Sequence, residues 1–301
     1  MKCVDRNGII IKQNKSQDKI LKFLYGSKMG RIILVQLIKP KFSIAMGKVL
    51  NHPISKVLIK PFIKKNKINM SDYEVEKYSS YNDFFIRKIK ADMRKIDQRS
   101  EHLISPCDGK LSVYNIDKNS CFVIKNTSYT IESLLRNKKL ADRYEGGLLL
   151  LFRLTVDDYH RFCYIDDGIK SENHHIAGIF HTVNPIANEI FPIYKENTRE
   201  FSILKSNNFG DLLIMEVGAL LVGKIVNYHE RSKVNRGQEK GRFEFGGSTI
   251  VVCVEQGRII MDEDILENSK NEMETVVKMG EKIGKKACFC SSKDKVDTLH
   301  I

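Results

Sequence analysis

Apolar residues fall along this chain in two rhythms. Between residues 20 and 63 they come in short clusters interrupted by lysines: Ile20, Leu21, Phe23, Leu24 and Tyr25, then Ile32, Ile33, Leu34, Val35, Leu37 and Ile38, then Val57, Leu58, Ile59, Phe62 and Ile63. That spacing, punctuated by Pro40, Pro53 and Pro61, predicts several short amphipathic helices. No apolar run reaches the roughly 20 residues a membrane-crossing helix needs. Residues 70–98 also read as helix, with Ser71 as N-cap and Glu74 completing a capping box. Beyond Ser105 the rhythm changes to short β-rich runs separated by Gly, Asn and Asp, at 111–114, 121–124, 147–154, 178–183, 212–217, 219–226, 250–254 and 258–261. One helical candidate, 131–140, interrupts them. Helices first and strands afterwards predict an α+β fold, a helical N-terminal region followed by a mainly antiparallel β-sandwich or barrel-like core.

Charge sharpens the division. The 301 residues carry a net charge of +13. Residues 1–70 hold sixteen Lys or Arg against two Asp or Glu, and the rest of the chain is nearly neutral. Basic residues interleaved with Ile, Leu and Phe suit a helix lying on an anionic phospholipid membrane, and suit nucleic acid poorly. The alternative is a helical subdomain packed on the rest of the protein with its lysines solvated. The expected division is a membrane-associating region at 1–70 and a second domain at 71–301. Seven scattered cysteines with no C-x-x-C pair indicate reduced thiols and a cytosolic setting. No signal peptide is expected, and the protein is placed peripherally on the cytoplasmic face of the membrane. No metal site is expected, although Cys288 and Cys290 sit close together near the C-terminus. A homodimer is a candidate assembly.

The stretch KGRFEFGGSTIVV, residues 240–252, places Gly246, Gly247 and Ser248 between runs that otherwise read as one strand. A bulge or tight turn accounts for such a break. A chemical reading is also open, because a serine hydroxyl after a flexible residue can attack the carbonyl before it. Three other segments carry polar residues that bear on the choice: SPCDG with Asp108, DDYHRF with Tyr159 and His160, and ENTR with Asn197 and Arg199.

Taken in order, YNDFFIRKIK, SPCDGKL, FRLTVDDYHRF, IFPIYKENTRE, MEVGALLVGKI and GQEKGRFEFGGSTIVV resemble the phosphatidylserine decarboxylases, from about Tyr78 to Gly284. The block YHRFCYID looks most like the clostridial branch. The resemblance implies pyruvoyl-dependent decarboxylation of phosphatidylserine to phosphatidylethanolamine, after self-cleavage between Gly247 and Ser248 into a β chain (1–247) and an α chain (248–301). It implies that Ser248 attacks the Gly247 carbonyl, that His160 takes its proton and that Asp108 orients His160. Ser248 then becomes the pyruvoyl group, the cofactor that forms a Schiff base with the substrate amine. Many members carry H-x-x-H where this chain has His160 and Cys163, so Cys163 is a candidate proton donor and His160 a candidate for both proton transfers. Tyr159, Asn197 and Arg199 are candidate substrate-binding residues, with N-T-R standing where N-E-R is more frequent. Two alternatives remain: an uncleaved carrier-like, lipid-binding β-sandwich in which the glycines form a bulge, and a decarboxylase of another serine-headed lipid.

Overall fold

The computed structural model describes residues 2–11, 18–74, 77–117, 119, 121–124, 127–184, 191–220, 224–246 and 248–287. Gly247, Cys288 and Cys290 lie outside the described residues, as does part of the 219–226 run. The helices are α1 (Asp18–Gly26), α2 (Lys28–Leu37), α3 (Pro40–Asn51), α4 (Ile59–Asn66), α5 (Tyr81–Phe85), α6 (Ile131–Leu135), α7 (Lys138–Ala141), α8 (Ile193–Glu196) and α9 (Glu263–Lys270). The strands are β1 (Lys2–Val4), β2 (Ile10–Ile11), β3 (His102–Ile104), β4 (Gly109–Asn115), β5 (Cys121–Ile124), β6 (Thr127–Thr130), β7 (Leu148–Leu154), β8 (Arg161–Cys163), β9 (Gly168–Lys170), β10 (His174–Ile176), β11 (Arg199–Ser206), β12 (Gly210–Gly218), β13 (Ile225–Asn227), β14 (Ser232–Val234), β15 (Glu239–Phe243), β16 (Ser248–Val254), β17 (Ile259–Met261), β18 (Met273–Val277) and β19 (Lys282–Lys286).

The fold is α+β. Its centre is an open sheet in the order β14-β9-β11-β12-β16-β7-β4-β18-β1-β2, with β10 added on β11. All its pairings are antiparallel except β1 with β18. It does not close into a barrel among the described residues, so the α+β class and the mainly antiparallel pairing expected from the sequence hold while the barrel-like closure does not. β7 and β16 read as almost unbroken apolar runs because both are buried along their length. Three smaller sheets, β13-β15-β8, β17-β19-β3 and β5-β6, complete the β structure.

The run 240–252 breaks because it changes sheets. β15 ends at Phe243 in the β13-β15-β8 sheet, and β16 begins at Ser248 between β12 and β7 in the large one. Gly246, in the crossing, has φ +133°, a conformation that L side chains rarely adopt.

Three readings of the sequence need correction. Residues 70–98 do not form one helix with Ser71 as its cap. The segment makes a 3₁₀ turn at Met70–Asp72, an isolated bridge from Tyr73 to Ile89, and the short α5, capped by Ser80 accepting from the Asp83 N–H. Tyr81, Phe84 and Phe85 are buried, and extended backbone on either side closes the bridge. Residues 178–183 do not form a strand: apart from the Ile179 bridge, that chain is fastened singly, with Phe180 N–H donating to the Ile38 carbonyl and His181 N–H to the Asn197 side chain. Residues 2–11, within the expected helical N-terminal region, contain the strands β1 and β2 instead, and β1 joins the main sheet.

The helices at 18–66 bury one side, through Leu21, Leu24, Tyr25, Leu34 and Leu50. Their other side exposes Ile20, Phe23, Met29, Ile32, Ile33, Val35, Ile44 and Val49. No helix among the described residues is long and apolar enough to cross a membrane.

Candidate active site

Ser248 opens β16 with its backbone held on both sides, opposite Gly218 of β12 and Leu154 of β7. It is 0% exposed, and its Oγ has no hydrogen-bond partner among the described residues, nor has the Oγ1 of the next residue, Thr249. Buried hydroxyls are mostly satisfied, so two adjacent ones without partners among the described residues single out the head of β16.

His160 is 1% exposed and enters from the loop before β8. Its Nδ1–H donates to the Asp158 carbonyl at 2.9 Å, which leaves Nε2 as the acceptor, and Nε2 is buried without a partner. Burial pushes its pKa down to about 4, so the ring is neutral at physiological pH. The His160 carbonyl accepts from Phe243 N–H at 2.9 Å, and Phe85 packs its ring 4.4 Å from the imidazole and 5.2 Å from Phe245. The approach to Ser248 is thus fastened to the His160 segment. Asn82 adds a further tie: its Oδ1 accepts from Phe245 N–H at 3.1 Å while its Nδ2 donates to Asn51 at the end of α3.

The loop carrying His160 is itself clamped. Asp158 accepts from Lys110 Nζ at 2.5 Å and from the Thr155 N–H and hydroxyl at 2.7 and 2.9 Å. Burial alone would raise the Asp158 pKa, but the Lys110 charge and these donors outweigh it and hold the carboxyl at about 2.

Asp108 occupies a different place from the one its motif implies. Its carboxylate accepts two bonds from Arg94 (2.8 and 2.5 Å), one from Met279 N–H (2.9 Å) and one from Lys278 (3.3 Å), and no hydrogen bond joins it to His160. In this structure the Asp158 carbonyl orients the imidazole. Asp108 pins the 105–109 loop, whose Pro106 carbonyl accepts from Cys163 N–H.

Cys163 is buried, its Sγ 4.0 Å from the Ser105 carbonyl, and burial pushes its thiol up to about 12. Arg199 is buried with its nitrogens donating to the carbonyls of Leu134, Lys195, Asn197 and Ser133. Asn197 donates to the His181 and Gly218 carbonyls and accepts from His181 N–H. It therefore holds the end of β12 that faces Ser248. The Tyr159 hydroxyl accepts from Ile89 N–H at 3.4 Å. Asn82, Phe85, Lys110 and Asp158 join the site without having been singled out from the sequence, although each lies in or beside one of its motif blocks. No group of three or more His, Cys, Asp or Glu able to hold a metal occurs among the described residues.

The family model for phosphatidylserine decarboxylase matches residues 81–285. The chain is 49% identical to phosphatidylserine decarboxylase proenzyme 2 of Clostridium acetobutylicum, over 88% of this chain and 91% of the relative. It is 42% identical to the phosphatidylserine decarboxylase proenzymes of Clostridium tetani and Fusobacterium nucleatum, over 91% and 88% of this chain and 94% and 90% of theirs. The chain belongs to the phosphatidylserine decarboxylase family.

Proposed function

We propose that this chain is a proenzyme that cuts itself between Gly247 and Ser248 and then converts phosphatidylserine to phosphatidylethanolamine and CO2 at an anionic membrane surface. The observation that carries the reading is the buried, unpartnered Ser248 hydroxyl at the head of β16, together with a neutral His160 whose Nε2 is also unpartnered and whose carbonyl holds Phe243, five residues before Ser248. His160 Nε2 accepts the Ser248 proton while Oγ bonds to the Gly247 carbonyl carbon. As the C–N bond breaks, the proton passes to the freed amine and leaves an ester. Elimination across the Ser248 Cα–Cβ bond then releases the Gly247 carboxylate and leaves dehydroalanine, and hydrolysis with loss of ammonia gives a terminal ketone.

The residues present fit that pyruvoyl group. The converted residue would stay at the head of β16 between two strands, and the Thr249 Oγ1 next to it in the chain and the His160 Nε2 are buried without partners among the described residues. When formed, the group supplies an electron sink for loss of CO2. The carbon that loses CO2 needs a proton, and His160 returns to it the one its Nε2 takes from the substrate ammonium as the amine condenses, so one ring serves both self-cleavage and decarboxylation. Cys163 is a weaker candidate, because burial pushes its thiol up to about 12 and makes it a poor acid, and its sulfur faces a carbonyl. The basic 1–70 segment, with its exposed apolar side, lies on the cytoplasmic face of the membrane and keeps the enzyme at its substrate.

Vesicles of phosphatidylserine labelled in the serine carboxylate test the reading. The purified protein is expected to release labelled CO2, and borohydride, which reduces a ketone, is expected to abolish that release. Self-cleavage without CO2 from phosphatidylserine, in a panel that includes other serine-headed lipids, would move the assignment to whichever lipid reacts.

A further inference from the structure

Arg87 is a buried cation without a counter-ion. It is 2% exposed, and among the described residues no carboxylate pairs with it. Its guanidinium lies between the rings of Tyr73, 4.3 Å away, and Phe84, 4.9 Å away. One nitrogen donates to the Tyr73 hydroxyl at 3.2 Å; a second reaches the carbonyls of Phe84 and Phe85 only at 3.5 and 3.4 Å; Nε–H has no partner among the described residues.

Other buried arginines of the fold are satisfied differently. Arg153 pairs with Glu274, Arg236 with Asp166, Arg161 with Glu239, and Arg199 has four carbonyls. A guanidinium desolvated among aromatic rings is costly unless an anion completes it, and its planar fork matches phosphate oxygens. Arg87 stands two residues beyond Phe85, whose ring packs 4.4 Å from the His160 imidazole.

We propose that Arg87 binds the phosphodiester of the lipid headgroup and so positions the serine moiety against His160 and residue 248, an inference that rests on the decarboxylase reading. In phosphatidylserine the phosphorus is separated from the reacting carbon by one carbon and one oxygen, so a phosphate site must lie beside the reacting site. The carboxylate is the less suitable anion for this arginine. An ion pair to the group about to leave as CO2 would stabilise the ground state more than the transition state, whereas the phosphate keeps its charge throughout.

The test compares wild type, Arg87→Gln and Arg87→Lys on short-chain phosphatidylserine in mixed micelles, with self-cleavage scored separately. Loss of a charge-assisted bidentate contact is expected to raise KM roughly ten- to a hundredfold in Arg87→Gln. Lysine is expected to recover part of that loss, and kcat to change by no more than about threefold. An unchanged KM, or a fall confined to kcat, overturns the assignment. If wild type neither cleaves itself nor releases CO2, the function beneath it fails instead. A second measurement needs no change at Arg87. The uncleaved Ser248→Ala protein is heated with dihexanoyl phosphatidylserine or with dihexanoylglycerol, which lacks the phosphate. A rise in Tm with the phospholipid alone supports the site, and equal responses overturn it.

Discussion

A histidine serves as a base at neutral pH when its ring is neutral and one nitrogen is free. His160 meets both conditions through its surroundings: burial keeps the proton off, and the Asp158 carbonyl takes the Nδ1–H. Its folded pKa of about 4 lies below the unfolded value of about 6.5, so the unfolded chain binds more protons between those values. His160 therefore contributes stability in full above pH 6.5, and loses roughly 3 kcal/mol of it as pH falls to 4. Self-cleavage is expected to hold its rate from pH 8 to about 5 and to fall with a midpoint near 4, followed by gel or mass analysis after a pH jump. A midpoint near 6.5 would mean a solvated imidazole and would contradict the burial account. At this scale the sequence was partly legible. A motif names Ser248 and His160, but which acid serves which base depends on groups far away in the chain. Asp108 goes to Arg94 and the 278–279 turn, and Asn197 and Arg199 turn inward to backbone carbonyls.

Between sheets, the position of the cut decides what happens to the pieces. The α chain would begin with β16, hydrogen-bonded on both sides to strands of the β chain, and would include β18, which lies between β4 and β1. The Arg153–Glu274 pair joins β7 to β18, and Cys3 of β1 donates to the same Glu274. Arg6 reaches Asp262, Asp264 and Glu281. The two chains are therefore expected to co-elute as one particle on size exclusion after cleavage, and to separate only in denaturant. Separate elution in native buffer would contradict the strand order. The apolar runs of β7, β12 and β16 were readable as strands because burial on both faces leaves an unmistakable pattern. The break at 244–247 was readable only as a break, since the exchange of partner strands is a long-range fact. The 70–98 segment misled because its cap signal is local, while the Tyr73–Ile89 bridge and the burial of Phe84 and Phe85 are not.

Across the whole molecule, charge and exposed apolar surface coincide on the N-terminal helices, and those helices touch the site. Leu50 clusters with Tyr81 and Phe84, with Phe62 and Phe245 packed against them, so the layer that would meet lipid also walls the approach to Ser248. Exposed apolar side chains this numerous on adjacent helices mark an interaction surface. Vesicle flotation is expected to show binding to anionic liposomes that weakens with salt, and a further loss of about tenfold for the combined change Phe23→Asp and Ile32→Asp. Equal binding to neutral liposomes, or no effect of the double change, would place the contact elsewhere. The central claim is that Ser248 is both the nucleophile of the cut and the source of the reactive group. Intact-mass spectrometry of wild type beside Ser248→Ala tests it most directly. The account predicts two wild-type pieces divided at Gly247–Ser248, the smaller lacking the mass that separates a serine terminus from a pyruvoyl one, and a mutant that stays whole. A wild-type chain that remains single and unmodified after exposure to anionic lipid would contradict it.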